Sequence, residues 1–260
     1  MARYQATIAY DGTAFQGFQA QPGFRTVEGE LRSALGTLGR RDEPLLAGGR
    51  TDAGVHAAGQ KIAFDLAWSH PVEELQRALN ALLPDDIACP ALGSAAEDFH
   101  PRYHALKRCY RYRVIAAPWP DTLRERYALR VWPAPDVEAM AAAAQYLIGK
   151  KDFGAFGSAP REGSHTVRTV QRADWLRNDE ALEFWIEADA FLFRMVRTIA
   201  GTLLQLGGGR RTRESIRHLL ETPGSPASRG QVPPQGRAAP PAPAHGLCLM
   251  RIEYPGGGQE

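Results

Sequence analysis

The hydrophobic period of this chain switches repeatedly between two residues and about 3.6, which restricts the fold to strands and helices packed in layers. Tyr4, Ala6, Ile8 and Tyr10 share one face and predict a half-buried strand over 4–10, broken by Asp11-Gly12-Thr13. Thr26 stands where an N-cap is needed for a helix from Val27, whose Val27, Leu31, Ala34, Leu35 and Leu38 make one apolar stripe. Residues 61–66 read as a second strand. Pro71, at a first helical position, opens a helix with Leu75, Ala78, Leu79 and Leu82 on one side. Residues 109–115 form a further strand, and Asp136 caps an alanine-rich helix to about Ile148. Strands over 170–176 and 182–188 make a hairpin across Arg177-Asn178-Asp179-Glu180. A helix from about Leu192 to Leu206 is stopped by Gly207-Gly208-Gly209. Residues 222–245 hold seven prolines and three glycines, which excludes a helix or a central strand and predicts a long surface loop. Strand alternation returns over 246–254. The expectation is an α+β chain with a boundary near 100–107, dividing it into subdomains 1–104 and 105–260.

Several classes fall away on composition. No stretch approaches the roughly 20 apolar residues of a membrane helix. The start, Met1-Ala2-Arg3-Tyr4-Gln5, lacks the apolar core of a signal peptide. Cys89, Cys109 and Cys248 are widely spaced, with no C-x-x-C pair, and fit reduced thiols better than a disulfide framework or a zinc site. These features predict a cytoplasmic protein. The net charge of +2 conceals an asymmetry: residues 1–104 carry 9 basic and 13 acidic side chains, a net of −4, against 22 and 16, a net of +6, over 105–260. A polyanion-binding basic face on the second half is permitted. The arginine- and alanine-rich composition follows equally from codon bias.

The chemistry concentrates in Gly48-Gly49-Arg50-Thr51-Asp52-Ala53-Gly54-Val55-His56-Ala57. Its glycines describe a tight irregular loop with close backbone approach. A nearby positive charge favours the charged form of a carboxylate, and a rigidly aimed carboxylate is what covalent catalysis at a sugar or base carbon requires. An aspartate that merely caps a turn fits the same residues. Arg197 shares its helix with the stripe Leu192, Val196, Ile199, Leu203 and Leu206; a neighbouring face carries Arg194, Arg197 and Gly201. It is either ion-paired or a snorkelling surface arginine. Tyr110, Tyr112 and Val114 share one strand face, opposite Arg111 and Arg113, and read as core. His100 and His104 are four apart, but Pro101 opposes the helix that would align them, so no metal site is predicted.

The loop from Gly49 to Ala57 resembles the signature of the tRNA pseudouridine synthase A family, whose nucleophilic aspartate falls on Asp52. Further segments match in the family's order: Leu79 through Ile87, Phe99 through Ala105, Arg108-Cys109-Tyr110-Arg111-Tyr112, Asp152-Phe153-Gly154-Ala155-Phe156, Phe191 through Arg197 with Gly201, Gly246 through Leu249, and Tyr254-Pro255. The likeness runs from about residue 3 to 255. Gly48 replaces a residue more often alanine, and the proline-rich stretch reads as an insertion.

The resemblance implies an α+β fold of two ferredoxin-like subdomains whose mixed or antiparallel sheets join around a central RNA-binding cleft. It implies a homodimer that binds the anticodon stem-loop of tRNA and isomerises uridines 38, 39 and 40. It implies no cofactor and no metal. It assigns Asp52 as nucleophile, Arg197 as its partner, and Tyr110 to packing on the target base, with general-base duty as a candidate role. Arg50 is left between binding phosphate, filling the gap left by a flipped base, and bracing the loop. Two rivals stand beside this reading. A silent RNA-binding protein has no need of Asp52, Arg197 and Tyr110 together. An RNA hydrolase needs a second carboxylate or a metal, for which Asp11 and Asp65 are the residues to check.

Overall fold

The computed structural model describes residues 1–40, 44–159, 164–178, 181–221 and 237–255. Residues 222–236 of the proline-rich stretch, and Asp179 and Glu180 of the expected hairpin turn, lie outside the described residues. Met1–Arg108 and the chain from Cys248 onward form one compact unit, and Cys109–Leu247 form a second.

In the first unit, β1 (Ala2–Tyr10) buries Tyr4, Ala6, Ile8 and Tyr10, the face its alternation predicts. It pairs antiparallel with β3 (His56–Leu66) and with β4 (Ile87–Ser94), while the short β2 (Leu46–Ala47) also pairs with β3. Tyr4 lies opposite Phe64 with the rings stacked 5.8 Å apart. Helix α1 (Val27–Thr37) starts at Thr26, whose hydroxyl accepts from Gly29 N at 3.3 Å. Helix α2 (Val72–Leu82) buries Leu75 and Leu79, but Leu82 turns outward and Pro71 is the N-cap rather than the first helical residue. Asn80 ties α2 to β4: its Oδ1 accepts from Cys89 N at 2.8 Å and its Nδ2 donates to Cys89 O at 2.9 Å. Burial pushes the Cys89 thiol up to about 11, so it is an inert thiol.

The last strand, β10 (Leu247–Glu253), corrects the expected division of the chain. From Cys248 it belongs to the first unit, not with residues 105–247, because Cys248 and Leu249 pair in parallel with His56 and Ala57 of β3. Gly59 makes the approach possible, since a Cβ there would sit 2.4 Å from Met250 O.

In the second unit, β5 (Lys107–Ala116, from Cys109) neighbours β9 (Leu182–Ala188). β9 pairs antiparallel with β8 (Val167–Arg177), and β8 with β7 (Gly149–Asp152). β6 (Leu129–Val131) runs parallel to β5. The β8–β9 pair is the expected hairpin. Asp136 Oδ1 accepts from Ala139 N at 2.9 Å and starts α3 (Val137–Ala144); the expected extension to Ile148 tightens instead into a 3-10 turn, Gln145–Leu147. Helix α5 (Arg213–Glu221) was not anticipated; it buries Ile216 and Leu219.

Helix α4 (Met195–Gly207) begins three residues later than its apolar stripe suggests. Leu192 is buried, but Phe193 forms an antiparallel bridge with Ser158 and Arg194 adopts φ 62°, so neither Leu192 nor Arg194 lies on the helix. At the other end Gly209 turns left-handed, with Gly209 N donating to Leu206 O and Arg210 N to Gln205 O, a Schellman stop.

The described end of the proline-rich stretch is not a surface loop. Ala239 and Ala242 are buried, Ala239 N donates to Thr202 Oγ1 at 3.0 Å, and Ala242 N donates to Arg197 O at 2.9 Å. Gly201 leaves room for this strap, since a Cβ there would lie 2.5 Å from Pro240 O. Among the described residues no helix is long and apolar enough to cross a membrane.

Candidate active site

Asp52 sits on a loop of the first unit whose backbone is fixed from several directions. Val55 N donates to Asp52 O at 3.2 Å, closing a turn whose third residue, Gly54, takes φ +76°. Thr51 is buried beneath it, hydrogen-bonded through Oγ1 to Tyr10 OH at 2.7 Å, while Arg50 is exposed and Asp52 half-buried. Upstream, Gln60 Nε2 donates to Gly49 O at 2.9 Å and the Arg108 guanidinium to Gly48 O at 3.0 Å. Gly48 itself has no room for a side chain: a Cβ would lie 2.6 Å from Ile252 Cδ1.

A second loop, 11–18, lies against this one. Phe18 N donates to Thr51 O at 3.1 Å and Gly54 N to Phe15 O at 3.3 Å. The same loop accepts from the start of α1, with Val27 N on Gly17 O and Glu28 N on Phe18 O, so it satisfies helix donors that have no intrahelical partner. Gly12 would place a Cβ 2.1 Å from Val55 O, and Gly17, at φ +89°, would place one 2.9 Å from Thr51 O and 3.3 Å from the Asp52 carbonyl carbon. His56 Nδ1 accepts from Gly12 N at 3.0 Å and lies 3.1 Å from Asp11 Oδ1, which joins the two loops at their base. Gly12, Gly17, His56 and Arg108 had no assigned role from sequence. The break at Asp11-Gly12-Thr13 was the one visible sign of the supporting loop.

Gly17→Ala tests this scaffold. Left-handed strain and a backbone contact that cannot yield predict a stability loss of about 1–3 kcal/mol. The shifted Asp52 also predicts a turnover loss of about 10²-fold. Unfolding curves and single-turnover rates measure the two together. Turnover at the wild-type rate would show that loop 11–18 does not position Asp52.

The second unit carries Tyr110 and Arg197. Tyr110 is 9% exposed, with its ring 5.2 Å from Phe191 in an edge-to-face contact at 89°. Tyr112, two residues on, is fully buried and donates from its hydroxyl to Pro243 O at 2.8 Å; its ring fills the space a Cβ on Gly246 would take, 2.7 Å away. Burial pushes its phenol well above the ordinary tyrosine range. Arg197 is half-buried and donates from Nε to Ala242 O at 2.8 Å, so the proline-rich strap grips it at both its main chain and its guanidinium. On the opposite face of β5, Glu183 lies 3.5 Å from Arg111 and 3.2 Å from Arg113, and Arg172 pairs with Asp174 at 2.8 Å. The basic excess of this half is thus partly neutralised on that face.

The two carboxylates open to a hydrolase have other partners. Asp65 holds Arg3 across β1 and β3 at 2.7 and 2.9 Å, and that guanidinium keeps its carboxyl below the usual range. Asp11 Oδ1 accepts from Thr13 N at 3.0 Å and from its hydroxyl at 2.6 Å. Among the described residues no three His, Cys, Asp or Glu side chains gather as metal ligands.

A family model described as tRNA pseudouridine synthase matches residues 6–104 and 143–255, spanning both the Asp52 loop and helix α4. The chain belongs to that family. It is 42% identical to tRNA pseudouridine synthase A of Bacillus subtilis strain 168 over 254 residues, 97% of this chain and 99% of the relative. It is also 42% identical to tRNA pseudouridine synthase A of Moorella thermoacetica, over 95% of this chain and 98% of the relative. A solved Cbf5-Nop10-Gar1 complex aligns at a TM-score of 0.35 and 11% identity, covering 78% of this chain and 44% of that one, too loose a likeness to bear on fold or function. The unmatched stretch, 105–142, holds Tyr110, all of β5 and most of α3.

Proposed function

We propose that this chain is a cytoplasmic tRNA pseudouridine synthase, working as a homodimer of subunits each built from two ferredoxin-like subdomains. Its targets are uridines 38, 39 and 40 of the anticodon stem-loop. The observation that carries the reading is the Asp52 loop, a carboxylate on a turn braced by a second loop, inside the segment that matches the family. The reaction breaks the N1–C1′ bond and forms C5–C1′ on the same nucleotide, so it is an isomerisation with no net redox change and no hydrolysis. It requires a uridine flipped from its stack, because neither C1′ nor the base is reachable otherwise. In this reading Asp52 attacks the base-bearing sugar carbon or assists a glycal-like intermediate, and Arg197 is its charge partner. Tyr110 packs on the uridine as stacking surface and candidate general base, and Arg50, exposed beside Asp52, contacts RNA.

Chemical mapping of an unmodified tRNA transcript after incubation with the purified protein tests the reading directly. New pseudouridine confined to 38–40 supports it. Strand cleavage, or binding without modification, favours the hydrolase or the silent RNA-binding protein. For Arg197, substitution by Met is expected to lower turnover by about 10²–10³-fold, the size of effect seen when a charge-stabilising group is removed from a transition state. The loss should add little to that of Asp52→Asn, because coupled residues are not additive. A large rise in tRNA Kd with turnover intact would make Arg197 an RNA contact instead.

A further inference from the structure

Between two buried anchors, Leu192 and Met195, the chain presents an exposed dipeptide, Phe193 and Arg194. Phe193 leaves 54% of its surface in solvent, and the Arg194 guanidinium lies 4.7 Å from the centre of its ring. The presentation is rigid. Phe193 N donates to Ser158 O at 3.0 Å, and Gly157 is confined to glycine because a Cβ would lie 2.6 Å from Phe193 O. Arg194 O accepts from Thr198 N at 3.0 Å and from Thr198 Oγ1 at 3.1 Å. Its φ of 62° makes Arg194 the one non-glycine residue in the left-handed region among those described. No ion pair joins it to a carboxylate among the described residues.

A fixed, exposed ring with a guanidinium stacked on it offers a nucleotide two things at once. Bases stack on aromatic rings and on guanidinium planes, and the same cation attracts the adjoining phosphate. The position suits such a role, because Tyr110 meets Phe191, only two residues before Phe193. We infer that Phe193 and Arg194 form a platform for a tRNA nucleotide adjoining the target uridine, its base on the phenyl–guanidinium stack and its phosphate at Arg194. The inference rests on the tRNA pseudouridine synthase reading and extends its substrate contacts beyond Asp52, Arg197, Tyr110 and Arg50.

Four variants of the full-length protein test it: Phe193→Ala, Phe193→Leu, Arg194→Gly and Arg194→Lys. Arg194→Gly keeps the left-handed backbone while removing the cation, and Phe193→Leu keeps apolar bulk while removing the ring. Filter binding to an unmodified tRNA transcript at several salt concentrations gives Kd, single-turnover assays give the rate at saturation, and thermal unfolding controls for structure. Phe193→Ala should raise Kd by about 5- to 150-fold, the range for loss of one stacked base. Phe193→Leu should recover little of it, and turnover at saturating tRNA should fall less than affinity. Arg194→Gly should raise Kd and lower the slope of log Kd against log salt by about 0.7–0.9, one phosphate contact, whereas Arg194→Lys should keep the slope. Wild-type Kd in both Phe193→Ala and Arg194→Gly overturns the platform, as does a Kd loss that tracks a fall in Tm. A wild-type protein that forms no pseudouridine would defeat the underlying reading instead, so the two failures are distinguishable.

Discussion

Asp52→Asn is expected to abolish pseudouridine formation, with a loss of at least about 10⁴-fold, while Kd for tRNA stays within about threefold of wild type. The asymmetry follows from where each kind of free energy arises. Affinity for tRNA comes largely from phosphates met over a broad surface, whereas the carboxylate acts on the one nucleotide being remade. Asparagine keeps the shape of the side chain and leaves the turn alone, since that turn is closed by main-chain groups, Val55 N on Asp52 O. Folding should therefore survive, unlike in Gly17→Ala, where activity and stability fall together. Single-turnover rates and Kd on the same transcript, with thermal unfolding beside them, decide the matter. Residual turnover above about a hundredth of wild type would remove Asp52 from the chemistry.

Much of the fold was legible because its signals are local. Alternation over 4–10, the caps Thr26 and Asp136 and the β8–β9 hairpin each need only neighbouring residues, and each appears where the pattern placed it. What escaped depends on distant backbone. No periodicity in 247–253 says that this strand runs parallel to β3; the permissive feature is Gly59, nearly 190 residues upstream. The proline content of 222–245 excluded regular structure, yet could not reveal that its last residues grip α4 through carbonyl and amide groups, with Gly201 clearing the way. The start of α4 misled because Leu192 continues the helical stripe in sequence while being buried by a loop. At the site, the Asp52 loop was visible as a motif. Its support by Gly12 and Gly17 was not, because two loops must meet before those glycines have a reason to be small.

Tyr110→Phe carries the second large expectation, a turnover loss of about 10²–10⁴-fold if the hydroxyl serves as general base. The ring packs against Phe191 and is 9% exposed, so phenylalanine should fit without repacking and the protein should stay folded. Tyr110→Ala removes ring and hydroxyl together, adding the loss of stacking, roughly 1–3 kcal/mol, to whatever the hydroxyl contributed. A defect confined to Tyr110→Ala would assign Tyr110 to stacking alone. Tyr112 supplies the internal comparison, because it shares strand and face but points its hydroxyl at Pro243 O, 2.8 Å away. Tyr112→Phe should cost about 0.5–1.5 kcal/mol for one lost hydrogen bond and leave turnover within a few-fold. Rates and unfolding curves for the three variants separate the roles. If Tyr112→Phe abolishes turnover in a folded protein while Tyr110→Phe is silent, the chemistry belongs to the buried tyrosine and the strap that accepts its hydrogen bond is part of the site.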